Sequence, residues 1–227
     1  MTLYHYIHST LHDAIAEKYP EIDQSRIQVH YQISPVNKTY ICTAVPRVIM
    51  SALSNKQNCN TIAHELVTCI NPDPAFINPD IFIKDGFINF QVSQSYSHAI
   101  LSLQPVYNLK LLCGSICDTD FMMKLKRLLN YADSVWPESV PIHNDQDLLL
   151  NQTETAIITL IAFTEFTNRE STQSFIINRL VSLLKRYYLE VPTFTKDAAT
   201  SSVRIRVITH ACAALYHQIR NAQPAQQ

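Results

Sequence analysis

The stretch IFIKDGFINFQV, residues 81–92, sets the architecture of the first half of the chain. It contains two short runs rich in β-forming residues, at 81–83 and 87–92, and Lys84-Asp85-Gly86 lies between them. An Asp-Gly pair between apolar runs is a strong local signal for a β-hairpin, because a type I′ turn needs positive φ at both central residues. The sequence therefore predicts an antiparallel hairpin at this position.

The residues before the hairpin predict a helix followed by a strand. Apolar residues recur at helical spacing from Ile7 to Ile15, and the pattern stops before Pro20. Residues 26–33 alternate strictly between apolar and polar side chains, which is typical of a half-buried strand. The side chains expected on the buried face of that strand are Ile27, Val29, Tyr31 and Ile33.

Two further helices are predicted between this strand and the hairpin. Pro46 suits the first turn of one helix, because its missing N–H has no partner to lose there. Asn60 suits the N-cap of the next. The order of elements favours a small α+β domain with a mixed or antiparallel sheet over residues 1–95.

Beyond about residue 116 the apolar period changes to 3.6 residues and stays there. The predicted helices are 118–133, 153–168, 173–189 and 200–221, with a polar segment at 134–152. This pattern is typical of an all-α helical bundle over residues 118–227. Residues 96–117 are predicted to be a short connector. The fold class expected for the whole chain is therefore α+β.

Composition excludes several classes of function. Only 2 of the 227 residues are glycine, so the sequence has no glycine-rich phosphate loop of the GxGxxG or Walker type. The 6 cysteines show no paired framework, and no apolar run approaches the ~20 residues that span a bilayer. We therefore expect a cytoplasmic protein without a cofactor and without a membrane segment.

Charge is distributed unevenly along the chain. The net charge is −1, yet residues 151–227 hold 8 Lys and Arg against 5 Asp and Glu, whereas the remainder holds 10 against 14. A surplus of cations favours contact with the phosphate backbone of nucleic acids. The second half is therefore compatible with RNA binding, and the first half is not basic enough for indiscriminate binding.

Three segments, in order, resemble landmarks of the arginyl-tRNA synthetases. Residues 39–70, which contain IAHEL at 62–66, and GFINF at 86–90 resemble the N-terminal additional domain of that family. FMMKLKRLLNYA at 121–132 resembles the helix that leads into the anticodon-binding domain. Residues 153–220, with FIINRLVSLLKRYY at 175–188, resemble the DALR anticodon-binding domain itself.

The catalytic domain of such a synthetase has no counterpart between the first and second landmarks. Only about 25 residues separate them, and His98-Ala-Ile-Leu lacks the glycine and the second histidine of the family's HIGH signature. A single βαβ crossover already needs a dozen or more residues, so a doubly wound sheet does not fit. The resemblance thus implies a protein that is not an enzyme.

The resemblance also implies which residues contact RNA. In the family the GFINF strand lies close to the D-loop of tRNA, which makes Asn89, Phe90, Gln91 and Gln94 candidate base contacts. Basic side chains of the helical half are candidate phosphate contacts. They are Lys124, Lys126, Arg127, Arg179, Lys185, Arg186, Arg204 and Arg206.

Two functions remain open from the sequence. The first is a tRNA-binding adaptor that grips the elbow and the anticodon arm, with arginine isoacceptors as the natural candidates. The second is a protein-interaction scaffold that kept the synthetase fold and lost RNA, which the net charge of −1 favours. Two metal patterns are weaker: Cys113 and Cys117 are too loosely spaced for zinc, and His5, His8 and His12 share one helical face.

Overall fold

The structure, a computed structural model, describes residues 1–53, 57–116, 118–135, 150–166, 170–193, 195 and 197–222. The chain forms two compact units, Met1–Tyr96 and Ser97–Gln227, here called the N-terminal and C-terminal units. Cys117 and most of the polar segment predicted at 134–152 lie outside the described residues. The predicted α+β class is confirmed.

The N-terminal unit combines three helices with a four-stranded antiparallel sheet, and the first part of a fourth helix ends it. Its elements are α1 (Leu3–Lys18), a 3₁₀ turn (Gln24–Arg26), β1 (Tyr31–Ile33), β2 (Tyr40–Thr43), α2 (Val45–Ala52), α3 (Cys59–Cys69), β3 (Phe82–Lys84) and β4 (Phe87–Gln91). The strands lie in the order β1-β2-β4-β3. The predicted hairpin, β3 and β4, therefore forms one side of the sheet.

The hairpin turn has the backbone that its sequence predicted. Asp85 has a φ of 51° and Gly86 a φ of 74°, so both central residues are in the left-handed region. The backbone N–H of Gly86 donates a hydrogen bond of 2.6 Å to Oδ1 of Asn60. A Cβ at position 86 would lie 2.6 Å from Sγ of Cys59, so the site has no room for a side chain. Glycine is required here on both grounds.

Three details of this unit differ from the sequence prediction. The predicted strand at 26–33 is paired only over Tyr31–Ile33, although Ile27 is still buried. Strand β2 was missed altogether, and it begins at Tyr40. The N-cap of α3 is Asn58, whose side chain accepts from the N–H of Asn60. Asn60 itself holds the hairpin turn instead.

The two faces of the sheet have different surroundings. Ile41, Ile88 and Phe90 point to one face and are buried in the core, which is covered by α2 and α3. In the register, Cys42 pairs with Asn89, and Asn89 pairs with Phe82, so these three side chains share the opposite face. We call that opposite face the open face.

The C-terminal unit is helical in its described residues. Its elements are the remainder of α4 (Gln94–Ser102), α5 (Leu109–Ser115), α6 (Thr119–Val135), α7 (Gln152–Phe163), a 3₁₀ turn (Thr164–Phe166), α8 (Glu170–Glu190) and α9 (Ala198–Ala222). Helix α9 packs on α5, α6, α7 and α8 and is therefore the centre of the unit. Residues 96–117, predicted as a connector, contain α5 and most of α4.

The core of the C-terminal unit follows the predicted periodicity. Helix α8 buries Ile176, Leu180 and Leu184, and it buries Tyr187 completely. Helix α9 buries Ile208, Cys212, Leu215 and Ile219, which recur at the helical spacing predicted for this half. Within the described part of the chain, no helix is both long enough and apolar enough to cross a membrane.

Candidate nucleic-acid interface

The open face of the N-terminal sheet carries a cavity of about 190 Å³. Its walls are the loop between β1 and β2, residues 34–37, and the hairpin of β3 and β4. Residues of three strands, β2, β3 and β4, line it on the open face, namely Tyr40, Cys42, Phe82, Phe87 and Asn89. We call this concavity the sheet cavity.

Aromatic rings form the rim of the sheet cavity. The side chain of Phe82 is 49% exposed, although it stands on a strand, and its ring centroid lies 6.3 Å from that of Tyr40. Phe87, on the neighbouring strand, is half-buried. Exposed aromatic rings on a sheet are a recurring surface for stacking unpaired bases, because every base presents a π-face.

Cations stand beside these rings. The guanidinium carbon of Arg47 lies 4.5 Å from the centroid of the Phe87 ring, a cation–π contact. Nη2 of the same side chain donates a hydrogen bond of 2.6 Å to the backbone oxygen of Asp85, which fixes the guanidinium at the turn. Lys84 is exposed and also lines the cavity. The one carboxylate among the lining side chains described here is that of Asp85.

Asn89 and Cys42 form the floor. Asn89 is only 4% exposed, and its Nδ2 donates to the backbone oxygens of Phe82 at 3.0 Å and Phe87 at 3.3 Å. Both amide hydrogens are thus used within the hairpin, which leaves Oδ1 as an acceptor. Burial raises the pKa of the Cys42 thiol, so this group stays protonated and is a weak donor rather than a nucleophile.

The other three predicted base contacts lie elsewhere. Phe90 is 2% exposed in the core on the opposite face of the sheet, so its ring cannot stack on a base and that prediction is corrected. Gln91 is half-buried, and its Oε1 accepts a 3.0 Å hydrogen bond from Nδ2 of Asn78. Gln94 is exposed at the first turn of α4, beyond the cavity lining. Of the four, only Asn89 lines the sheet cavity.

Four of the eight predicted phosphate contacts in the C-terminal unit lie beside carboxylates. Nζ of Lys124 lies 2.7 Å from Asp120, and Nζ of Lys185 lies 3.0 Å from Asp118. Nε of Arg186 lies 2.8 Å from Glu190. Because each pair is near neutral, these cations attract a phosphate less than their number suggests. Lys126 and Arg127 are exposed on α6, and Arg179 is half-buried on α8.

The side chains of Arg204 and Arg206 are largely buried and contact other groups of the C-terminal unit. The side chain of Arg204 is 18% exposed, and its Nε lies 3.7 Å from the buried carboxylate of Glu154. Arg206 is 8% exposed and donates a 2.8 Å hydrogen bond from Nη1 to the backbone oxygen of Leu101. The prediction that Arg206 contacts phosphate is corrected, because its guanidinium is buried.

The carboxylate of Glu154 contacts three polar groups of the C-terminal unit, on Asn151, Tyr187 and Arg204. Its Oε2 accepts from the backbone N–H of Asn151 at 2.8 Å, which completes a capping box at the start of α7. Its Oε1 accepts from the hydroxyl of Tyr187 at 2.5 Å. Burial and then the Glu154 carboxylate raise the pKa of Tyr187, so the phenol stays protonated. This cluster is structural.

Sequence reasoning missed Tyr40, Arg47, Phe82 and Phe87 as site residues. The signal for two of them was present, because Phe82 and Phe87 lie in the two β-forming runs on either side of the predicted turn. Arg47 gave no local signal, since its partner is a backbone atom of the hairpin 38 residues later.

No protein-family model, curated protein or solved structure matches the chain. Among the residues that the structure describes, no group of three or more His, Cys, Asp or Glu side chains is arranged to hold a metal ion. The interpretation of the sheet cavity therefore rests on its own geometry and chemistry.

Proposed function

We propose that this chain is a non-catalytic RNA-binding adaptor whose sheet cavity holds one unstacked base of a tRNA. The observation that carries the proposal is the sheet cavity itself, in which aromatic rings, fixed cations and an amide acceptor converge on a space of about 190 Å³. The resemblance of the GFINF strand to the synthetase strand beside the D-loop supports tRNA as the RNA.

In this proposal each wall of the cavity contacts a different part of the nucleotide. The exposed ring of Phe82 stacks on the base, which contributes about 1–3 kcal/mol per base in single-strand binding. Oδ1 of Asn89 accepts a hydrogen bond from an amino or imino group at the edge of the base. Arg47 and Lys84 lie at the mouth, where the phosphates of the same nucleotide pass.

The chemistry of the lining supports binding rather than catalysis. Burial keeps Cys42 in its unreactive thiol form, and the amide of Asn89 and the rings of Phe82 and Phe87 carry no titratable group. The stacking rings and the fixed amide hold a base in place without attacking it.

The C-terminal unit supplies a weaker second contact. Lys126 and Arg127 are exposed on α6, whereas the neighbouring Lys124 is paired with Asp120. Two weak sites on one chain gain affinity through effective concentration when both engage the same RNA. The adaptor thus reads one base through the sheet cavity and gains affinity from the C-terminal unit.

The test compares two phenylalanines whose side chains are exposed to nearly the same extent. Phe82→Ala removes the ring at the cavity rim, and Phe175→Ala removes a ring on α8, where the side chain is 51% exposed. Binding of fluorescently labelled total tRNA is measured by anisotropy at low salt. F82A is expected to weaken binding about 5- to 150-fold, from the stacking energy of one base, and F175A to leave it unchanged.

Three results would contradict the proposal. One is the absence of any tRNA binding by the wild-type chain at low salt, with arginine isoacceptors included. Another is equal affinity of F82A and the wild type. The last is an equal loss in both variants, which would place the contact outside the sheet cavity.

The runner-up function is a protein-interaction scaffold, and the C-terminal unit favours it. Four of its cations lie beside the carboxylates of Asp118, Asp120, Glu154 and Glu190. Several large apolar side chains of this unit are exposed, namely Leu103, Val106, Met123, Tyr131, Phe175 and Leu189. In that case Phe175→Ala, and not Phe82→Ala, reduces the amount of protein that co-purifies with the tagged chain, and nuclease treatment leaves the complex intact.

A further inference from the structure

The two histidines His8 and His12 stand one turn apart on α1, and their ring centroids are 4.5 Å apart. Residues at i and i+4 of a helix lie one above the other on the same face. Both residues are half-buried, so each is partly accessible to solvent. The sheet cavity uses neither of them.

Each ring is held through its Nδ1 atom by a neighbouring element. Nδ1 of His12 lies 3.2 Å from Oε1 of Gln24, an acceptor, so this nitrogen carries the proton and Nε2 keeps its lone pair. Nδ1 of His8 lies 3.2 Å from the hydroxyl of Tyr31 on β1. A hydrogen bond at one ring nitrogen that orients the other is the arrangement found around metal-bound imidazoles.

We propose that His8 and His12 form an open two-histidine site for a divalent transition-metal ion such as Zn²⁺ or Ni²⁺, with solvent in the remaining coordination positions. Imidazole nitrogen is a preferred ligand of these ions. In the described part of the chain no third His, Cys, Asp or Glu completes the set, so the site is exchangeable rather than structural.

Aromatic rings hold His8 in place. The ring of Tyr4 stacks on His8 at 5.2 Å and makes an edge contact with Tyr31 at 6.0 Å. The ring of Tyr31 in turn makes an edge contact with His8 at 6.2 Å. His8 is therefore fixed on two sides by aromatic rings.

The experiment is a calorimetric titration of the full chain, purified without a histidine tag, with ZnCl₂ and separately with NiCl₂ at pH 7.5. The wild type is expected to bind one ion. His8→Gln and His12→Gln are each expected to weaken binding at least about tenfold, and Tyr31→Phe, which removes only the hydroxyl beside His8, about tenfold. His64→Gln, an exposed histidine on α3, is the matched control and is expected to bind as the wild type does.

Acidification supplies a second readout. Metal binding requires both imidazoles unprotonated, so the affinity is expected to fall between pH 7 and pH 5 in the wild type. If His8→Gln disturbs folding as judged by circular dichroism, the affinity of His12→Gln is the test of the site. The described hydrogen bond of the His12 ring is to the side chain of Gln24, so its loss is expected to leave the fold intact. Equal affinity in the wild type, His8→Gln and His12→Gln, or no binding by the folded wild type, overturns the site.

Discussion

The two units of this chain use the same kinds of side chain in opposite ways. In the N-terminal unit, Arg47 is held by a backbone oxygen and an aromatic ring, so its positive charge has no carboxylate partner among those contacts. In the C-terminal unit, Arg186 and Arg204 face Glu190 and Glu154. The same contrast applies to the aromatic rings, since Phe82 is half exposed and Tyr187 is fully buried.

This difference concerns how many cations keep their charge available to a phosphate. In the C-terminal unit four described cations lie beside carboxylates, whereas Arg47 and Lys84 of the N-terminal unit line a cavity whose one described carboxylate is that of Asp85. What matters is whether a cation is held by neutral groups or by a carboxylate, because only the former keeps its full attraction for a phosphate. The predictions below test this contrast.

The largest effect is expected at the buried carboxylate of Glu154. Glu154→Ala removes the capping box of α7 and leaves the Tyr187 hydroxyl and the Arg204 guanidinium without their carboxylate. Loss of one partner of a buried charge pair is expected to lower the free energy of unfolding by about 3 kcal/mol. Urea unfolding followed by circular dichroism measures it.

The control is the exposed pair in the same unit. Glu190→Ala breaks the i,i+4 contact with Arg186, and exposed pairs of this kind contribute about 0.5 kcal/mol or less. If the two variants lose the same stability, the description of Arg204 as a core residue is wrong, and Arg204 returns to the list of phosphate contacts.

The second largest effect is expected at the hairpin turn that shapes the sheet cavity. Gly86→Ala places a Cβ 2.6 Å from Sγ of Cys59 at a φ of 74°, so it combines a clash with backbone strain. We expect a loss of about 2 kcal/mol, of which the strained backbone accounts for about 1 kcal/mol. Thermal unfolding of the variant measures the sum.

A double variant separates the two causes. Cys59→Ala in the Gly86→Ala background removes the sulfur at 2.6 Å but keeps the Cβ at 3.1 Å, so it is expected to restore most of the clash part and leave the backbone part. Gly86→Ala is also expected to weaken tRNA binding, because it displaces the turn that fixes Arg47, and the double variant is expected to regain part of that affinity. Full recovery of stability would show that the left-handed backbone at position 86 costs nothing.

The sequence predicted those parts of the fold that have a local cause. The hairpin follows from Asp85-Gly86, and the stripes of α8 and α9 follow from their own periodicity. Strand β2 was missed because only four residues, Tyr40–Thr43, form it, and its pairing with both β1 and β4 stabilises it. Helix α4 was missed because it is largely polar and buries only Ser97 and Leu101.

The site was predicted less completely, for a physical reason. Asn89 was identified as a site residue, but the use of its amide hydrogens depends on the backbone of β3, which no sequence pattern reports. The pairing of Lys185 with Asp118 joins two distant parts of the sequence. Charge in a sequence can be counted, but its neutralisation is decided by tertiary contacts.

A smaller effect is expected at the exposed cations of α6. Lys126→Gln with Arg127→Gln removes two charges from exposed positions, so the core is unchanged. The loss of two phosphate contacts is expected to make the slope of the logarithm of the tRNA binding constant against the logarithm of salt concentration less steep by about 1.5. Anisotropy titrations across a range of KCl concentrations measure this slope. Lys185→Gln with Arg186→Gln, the matched pair whose charges face Asp118 and Glu190, is expected to leave the slope nearly unchanged.

The smallest effect is the dependence of stability on pH, and it again compares the two units. Burial is the largest cause that lowers the pKa of His210 in the C-terminal unit and of His8 in the N-terminal unit. Both histidines therefore bind protons more weakly in the folded chain than in the unfolded chain, whose pKa is about 6.5. The free energy of unfolding therefore keeps the full contribution of each histidine above about pH 6.5. That contribution is lost as the pH falls from this value through the lower pKa of the folded chain.

Hydrogen exchange measured peptide by peptide at pH 7.5 and pH 5.5 distinguishes the two units. His210→Gln is expected to reduce the acid-induced loss of protection in α9 and to leave that of β1 unchanged, and His8→Gln is expected to do the reverse. His210 is 6% exposed and its Nδ1 lies 2.8 Å from the backbone oxygen of Arg206. If acid weakens both units equally in both variants, the pH dependence arises from other groups, because each histidine acts only on the unit in which it is buried.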